Sequence, residues 1–215
     1  MKLPASPFSK APAAPASAPP ASVEEVAALR KQLAETRLQN ELYHIIIDRY
    51  KKFIEDSEAK SIADLRALVR PLDSSVTELK MVVQDQFHPF LYQEHFLQAV
   101  EKSMDLVFLW KSVQLPVSFW VSFADMARIK AADDIDRAIL LCSLFRSLGS
   151  ESAKVLIGKN KSAWVSFKFN EKQYVVDIAR RSMSAFPPTD DDIKQFMFSI
   201  LYSFNDREYE DFSEG

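Results

Sequence analysis

The chain has 215 residues, of which 47% are hydrophobic and 12% aromatic, which is enough to bury one sizeable core and excludes full disorder. Its formal net charge of -3 argues against a protein that coats nucleic acid through bulk positive charge. The single cysteine, Cys142, excludes an internal disulfide, a cysteine zinc cluster and a redox pair. With only three glycines, the chain lacks the glycine-rich loops of dinucleotide-binding and P-loop enzymes, so we expect no cofactor.

The first segment, residues 1–21, holds six of the eleven prolines among alanines and serines. This composition cannot form a core and predicts a disordered tether. No apolar stretch at the start has the length of a secretion signal, and the longest apolar runs are too short to span a bilayer. We therefore expect a cytoplasmic protein that does not contact membranes.

A long helix is predicted over residues 22–57, because proline and glycine are absent there and Ser22 with Glu25 has the spacing of a capping box. Its hydrophobic residues recur with heptad spacing. The a and d positions are Val26, Leu29, Leu33, Thr36, Asn40, Tyr43, Ile47, Tyr50 and Ile54. Asn40, a polar residue at an a position, is typical of a seam that fixes register in a parallel dimer.

Two interpretations of this helix stay open. The heptads favour a coiled coil that self-associates, or pairs with a partner helix, through residues 22–56. However, Leu42, Ile45 and Ile46 widen the apolar face beyond what a dimer seam requires. A wider face is typical of an amphipathic helix that folds back on its own domain.

Residues 60–204 are predicted to form one domain, followed by an acidic tail over residues 205–215 that we expect to fray. Serines with an acidic residue three positions later predict helix starts; the pairs are Ser61 with Asp64, Ser75 with Glu78, and Ser122 with Asp125. A long helix is expected from about Pro89 to Val113, and a second from Asp133 to Gly149.

After Gly149 the hydrophobic period changes from that of helices to that of strands. The predicted strands are Ala153–Ile157, Ala163–Phe169 and Gln173–Ile178, with a turn at Asn170 and Glu171. Thr189 is expected to cap a last helix that continues to Leu201. Helices followed by antiparallel strands predict an α+β fold, with the helix after Asp133 packed on a small antiparallel sheet.

Three ordered motifs carry a family resemblance. Residues 133–149 resemble the nucleophile helix of transglutaminase-like domains, which belong to the papain-like cysteine protease fold. Residues 162–167 (SAWVSF) are similar to the family's His-Ala-Trp-Val strand, and residues 174–177 (YVVD) to its Trp-Tyr-x-x-Asp strand. The match covers about residues 117–178, and weaker similarity to an archaeal branch of the family extends through residues 204–206.

The resemblance implies that the family's Cys, His and Asp triad corresponds to Asp134, Ser162 and Asp177. Only the aspartate is retained, so we expect an inactive module used for protein binding or scaffolding, and not an enzyme. Cys142 lies eight residues beyond Asp134, along the body of the helix, where a buried apolar thiol is expected. A residual hydrolase or acyltransferase that uses these three positions is the least favoured alternative.

A degenerate cleft is the first candidate for binding. Its predicted residues are Asp134, Ser162, Trp164 and Asp177, which could hold an extended peptide or a basic side chain. The structural alternatives are that Asp133, Asp134 and Asp136 only complement the helix dipole, and that Trp164 only fills the core.

A basic region is the second candidate, and it suggests nucleic-acid binding as the alternative function. Its residues are Lys154, Lys159, Lys161, Lys168, Lys172, Arg180 and Arg181, and Trp164 shares a strand face with Lys168. Against this function, basic residues on hairpins commonly only protect sheet edges. The histidines, His44, His88 and His95, fall outside the predicted strands, and their spacing predicts no metal site.

Overall fold

The structure is a computed structural model that describes residues 22–187 and 191–212. The predicted tether over residues 1–21 lies outside the described residues. The chain divides into two compact units, residues 1–49 and residues 50–215.

In the first unit, the described residues belong to a single helix, α1 (Val23–Ser57), whose last residues lie in the second unit. The predicted capping box is present: the Ser22 amide donates to Glu25 Oε2 at 2.7 Å, and the Glu25 amide donates to Ser22 Oγ at 3.2 Å. No residue of α1 is buried. Across the part of the chain that the structure describes, no helix is both long enough and apolar enough to cross a bilayer.

The described residues of the second unit form six further helices. They are α2 (Ile62–Leu68), α3 (Ser74–Gln84), α4 (Tyr92–Phe108), α5 (Phe123–Ile129), α6 (Asp134–Ser147) and α7 (Asp191–Met197). The predicted caps at Ser61 and Ser122 are confirmed, since each side chain accepts a hydrogen bond from the amide three residues later. The cap predicted at Ser75 is wrong, because the N-cap is Asp73, two residues earlier, which accepts from the Ser75 amide.

The helix predicted to reach Val113 ends at Phe108 instead. Beyond it, Trp110 is buried and the chain becomes extended in β1 (Lys111–Ser112). This strand pairs in parallel with β2 (Ala131–Ala132), and the Lys111 amide donates to the Lys130 carbonyl at 2.8 Å. Because β2 directly precedes α6, this pairing places β1 beside the start of α6.

A six-stranded antiparallel sheet forms the second layer, in the order β6-β5-β4-β3-β7-β8. Its strands are β3 (Lys154–Gly158), β4 (Ala163–Phe169), β5 (Lys172–Asp177), β6 (Ser182–Phe186), β7 (Ile200–Phe204) and β8 (Tyr209–Asp211). The predicted strands β3, β4 and β5 are present to within a residue at each end. Asn170 and Glu171 form the predicted turn, both with positive φ. The α+β class is confirmed.

The C-terminal part of the domain was predicted incorrectly. The last helix ends at Met197, and Ile200 and Leu201 begin β7, where Ile200 is fully buried beside Gly158 of β3. The cap predicted at Thr189 lies outside the described residues. Within residues 205–212, for which no element was predicted, β8 pairs with β7, and the buried Asn205 side chain donates to the Ala153 carbonyl at 3.1 Å.

The core lies between the sheet and the helices α3, α4 and α6. Every residue of α6 from Asp136 to Phe145 is buried. On the sheet side, the Phe167 ring of β4 lies 5.4 Å from that of Phe96 on α4 and 5.5 Å from that of Phe145 on α6. Aromatic contacts therefore fix α4 and α6 against the middle of the sheet.

Gly149 ends α6 as predicted. Its φ of +112° is one that side-chain-bearing residues rarely adopt. A Cβ at this position would also lie 3.1 Å from the Tyr92 ring of α4. The glycine therefore lets the chain leave the helix close to α4 and turn back towards β3.

Candidate functional site

An open cleft of about 1020 Å³ lies in the second unit, at the N-terminal end of α6. It is bounded by the end of α1, the loop over residues 112–120, the first turn of α6, and the β3–β4 and β5–β6 turns. All four residues of the predicted cleft line it: Asp134, Ser162, Trp164 and Asp177. The fold thus brings together positions that span more than forty residues of sequence.

Asp134 is the first residue of α6, but it is not the cap. Asp133 is the N-cap and accepts from the Asp136 amide at 2.7 Å. Asp134 instead accepts a hydrogen bond from the Ser112 hydroxyl at 3.3 Å, and its side chain remains 39% exposed. Of the two interpretations made from the sequence, the capping role therefore falls on Asp133, while the Asp134 carboxylate faces the cleft.

Trp164 contributes both to packing and to the cleft. A Cβ added at Gly158 would lie 2.7 Å from its ring, so the indole rests directly on the β3 backbone. Its other neighbour is the Phe196 ring of α7, at 5.2 Å in an edge-to-face arrangement. The indole is half-buried and forms a rigid aromatic surface in the cleft.

Asp177 faces Trp164 across the β4–β5 pairing. Its carboxylate accepts from the Arg180 amide at 2.8 Å and lies 3.9 Å from the Arg180 Nε. The side chain is therefore used to hold the β5–β6 turn. Ser162 lies just before β4, where its carbonyl accepts from the Gly158 amide at 2.9 Å, and it is half-buried.

Asp136 is a cleft residue that the sequence analysis placed only among the dipole-complementing acids. It is 3% exposed, and its Oδ1 accepts from the Val121 amide at 3.4 Å. Its Oδ2 is buried without a hydrogen-bond partner. Burial, together with the nearby Asp133 carboxylate, raises the pKa of Asp136 to about 8. No sequence signal distinguished this aspartate from its neighbours.

Arg137 is buried immediately beside the acidic turn. It is 1% exposed, its Nη2 donates to the Trp110 carbonyl, and its Nη1 lies 4.0 Å from Asp134 Oδ1. Burial lowers the pKa of its guanidinium, while Asp134 acts in the opposite direction. The arginine therefore joins the start of α6 to the segment that follows α4.

Trp120 is a second aromatic residue of the cleft that the sequence analysis missed. Its indole Nε1 donates to the Glu58 carbonyl at 3.1 Å. Two residues earlier, the Ser118 amide donates to Glu55 Oε1 at 3.4 Å. These bonds hold the loop over residues 112–120 against the end of α1, within the second unit.

Neither the cysteine nor any of the histidines is among the residues that line the cleft. Cys142 is fully buried in α6, and burial raises the pKa of its thiol. His44 and His88 are exposed, while His95 Nδ1 accepts from the Leu91 amide at 3.0 Å and its ring stacks on Phe87. Among the described residues, no cluster of three or more His, Cys, Asp or Glu side chains has the geometry of a metal site.

The residues of the predicted basic region separate into two groups. Lys159, Lys161, Arg180 and Arg181 lie in the turns at the cleft end of the sheet, and Lys154, Lys168 and Lys172 lie at the opposite end. The strand between them, β4, has seven residues, a span of about 20 Å. Lys154 is also neutralised by Glu208 at 2.8 Å and Glu210 at 3.2 Å. The basic residues therefore form no continuous track.

The raised pKa of Asp136 predicts a pH-dependent stability. Between about pH 4 and pH 8 the unfolded chain has lost this proton while the folded chain keeps it, so unfolding becomes easier as the pH rises, by up to about 1.4 kcal/mol per pH unit. Asp136→Asn mimics the protonated acid and should remove this fall. Urea unfolding of the wild type and the variant between about pH 4 and pH 8 measures the free energy of unfolding that this comparison needs.

The control for that experiment is Asp105→Asn, on the exposed face of α4. Its pH profile should run parallel to that of the wild type. If the Asp136→Asn profile also runs parallel to the wild type, the carboxyl is ionised in the folded protein and the assignment is wrong.

Comparison with solved structures finds a likeness to Legionella pneumophila LapG, at 12% sequence identity over 78% of this chain and 88% of that chain, with a TM-score of 0.47. Comparison with protein-family models gives no match, and none of the curated proteins matches either. The archaeal branch named from the sequence motifs stays a prediction.

Proposed function

We propose that the protein is a catalytically inactive transglutaminase-like module that binds an extended segment of a protein partner in the cleft. The observation that carries the proposal is the convergence of Asp134, Ser162 and Asp177 on one open cleft. The three positions were matched to the family's triad from the resemblance of three sequence motifs, and their meeting in one cleft supports that match.

The chemistry of the lining residues supports inactivity. A thiol nucleophile needs a helix N-terminus or a cationic neighbour to depress its pKa, and an imidazole to accept its proton. Neither a cysteine nor a histidine is among the residues that line the cleft within the described chain. Cys142 is buried more than two helical turns from the helix start, in surroundings that raise its pKa.

The shape of the cleft supports binding of a peptide segment. A volume of about 1020 Å³ is at the upper end of the range for small-molecule pockets, and the cleft is open along one side. Trp120, Trp164 and Tyr202 give it apolar surfaces, and polar residues such as Asp134 and Ser162 also line it. An extended peptide presents both apolar side chains and polar backbone amides, which match these two kinds of surface.

Self-association through α1 is a second candidate function. Leu29 and Leu33, which occupy d and a positions, are 60% and 51% exposed. A helix of 35 residues with an uncovered apolar seam gains free energy when a second helix covers it. Pairing through residues 22–56 accounts for the heptad spacing and for Asn40.

The remaining alternatives receive less support. A nucleic-acid surface requires a continuous basic track, and the two groups of basic residues lie at opposite ends of the sheet. A residual hydrolase or acyltransferase requires a base near Ser162, and Asp177 is occupied by Arg180.

Filling the cleft should abolish peptide binding. Ser162→Trp places a large ring inside the cleft, so retention of peptides from a random library on immobilised protein should fall about tenfold or more. Ser184→Trp, on the exposed face of the edge strand β6, is the matched control and should behave as the wild type. Equal retention by the two variants would place binding outside the cleft.

Restoring the two missing triad residues should restore a reactive thiol. In Asp134→Cys with Ser162→His, the helix N-terminus and the imidazole favour the thiolate, so alkylation by iodoacetamide should be faster at neutral pH than for an ordinary surface cysteine. Ser112→Cys, which also lines the cleft but lies off the helix, is the control. Equal alkylation rates would contradict the match of Asp134 to the nucleophile position.

Charge in the seam of α1 should prevent self-association. Leu33→Glu introduces a buried charge if the a positions pair, so sedimentation of the full chain should shift to the monomer. Leu38→Glu is the matched control, because Leu38 is 69% exposed and occupies an f position. A wild-type chain that is already monomeric, or equal effects of both variants, would contradict the coiled coil.

A further inference from the structure

The polar residues that flank the hydrophobic seam of α1 differ between its two sides. With Val26 at an a position, each e position on one side of the seam holds a basic residue. These residues are Arg30, Arg37, His44 and Lys51. The g positions on the other side are Glu25, Gln32, Gln39, Ile46 and Phe53. One side of the seam is therefore basic along its length, while the other has a single charge at its start.

The basic side chains of the first unit are not neutralised within their own chain. Among the described residues, the side chains of Arg30 and Arg37 form no hydrogen bond and no ion pair, although Glu41 lies one helical turn beyond Arg37. His44 is exposed as well. A helix that covers the seam therefore meets basic groups that are available for pairing.

The e positions constrain the direction in which a partner helix can run. In a parallel pair, an e residue of one helix faces a g residue of the other, whereas in an antiparallel pair e faces e and g faces g. Two antiparallel copies of α1 would place Arg30, Arg37 and Lys51 against basic residues of the same row. Like charges in contact are unfavourable, so the row favours a parallel arrangement.

A second copy of α1 satisfies the basic row only at its start. In a parallel pair, Arg30 faces Glu25 of the copy, but Arg37 faces Gln32, and the next e residue also faces a glutamine. A helix with acidic residues at these g positions supplies an opposite charge for each basic residue. Charge complementarity therefore favours an acidic partner helix over a second copy.

We infer that the preferred partner of α1 is a parallel helix of another protein, with glutamate or aspartate at the g positions that face Arg30, Arg37 and His44. The inference goes beyond the self-association proposed above, but it rests on the same heptad seam and is independent of the cleft. The apolar a and d residues of the partner cover the seam, and its acidic g residues pair with the e residues of α1. Such a helix displaces a second copy.

Net charge does not produce this preference. α1 holds nearly equal numbers of acidic and basic residues, and the whole chain has a formal net charge of -3. An acidic peptide is therefore not attracted to the protein as a whole. Its attraction depends on the position of the charges beside the seam.

The test uses the full-length protein and two fluorescent peptides that span residues 22–57 of this chain. One peptide carries Gln32→Glu and Gln39→Glu, and the other carries Gln32→Lys and Gln39→Lys. Fluorescence anisotropy with trace amounts of peptide measures binding without competition from peptide self-pairing. We expect the glutamate peptide to bind about fivefold more tightly at low salt, and the difference to shrink at about 1 M salt, where exposed charges are screened.

Two charge-matched variants of the full chain locate the preference. Arg37→Glu should remove or invert it, because the new carboxylate repels the glutamate peptide and attracts the lysine peptide. Arg49→Glu changes the net charge equally but lies at a c position, away from the seam, and should keep the wild-type preference. Both arginines are exposed on α1, so neither change disturbs a buried contact.

The outcomes separate the acidic partner from the seam itself. Equal affinity of the wild type for both peptides overturns the acidic partner and leaves the seam standing. Tighter binding of the lysine peptide overturns the parallel orientation. Binding of neither peptide overturns the inference, and sedimentation of the wild-type chain then decides whether self-association stands. Equal effects of Arg37→Glu and Arg49→Glu overturn the assignment to the e positions.

Discussion

The burial of α6 is the constraint on which the rest of the second unit depends. From Asp136 to Phe145 every residue of this helix is inside the protein, against the sheet on one side and α3 and α4 on the other. A helix enclosed in this way must satisfy its free amides where it enters the core, and Asp133 does so. The cleft is the space left in front of that entry, so the three aspartates of the first turn belong to its lining.

Local sequence patterns were sufficient to predict the elements whose hydrophobic residues follow a clear helical or strand period. The alternation of β4 and the glycine that ends α6 predicted those elements closely, because both are short-range effects. The failures lie where distant pairing decides the structure. Ile200 and Leu201 continue the helical pattern of hydrophobic residues. In the structure they instead belong to β7, which pairs with the otherwise unpaired edge of β3. The acidic composition after Asn205 likewise predicted a tail where the structure has the strand β8.

The site was predictable in position but not in detail. The motif resemblance predicted that Asp134, Ser162, Trp164 and Asp177 lie together, and all four line one cleft. The strand register explains why Trp164 and Asp177 are neighbours. The distinction among the aspartates could not be read from sequence. Asp133 caps the helix, Asp134 stays partly exposed, and Asp136 is buried and accepts a hydrogen bond from the Val121 amide of a distant loop. The count of basic residues also suggested a single basic surface, but the length of the strands separates these residues into two groups at opposite ends of the sheet.

The order of strands has a consequence for synthesis of the chain on the ribosome. β3 is paired on one side by β4, which follows it at once, but its other side is covered only by β7, more than forty residues later. Until that segment emerges, an apolar strand at the centre of the future sheet has an open hydrogen-bonding edge. The nascent domain is therefore most prone to intermolecular strand pairing during this interval, and chaperone engagement is expected to be concentrated there.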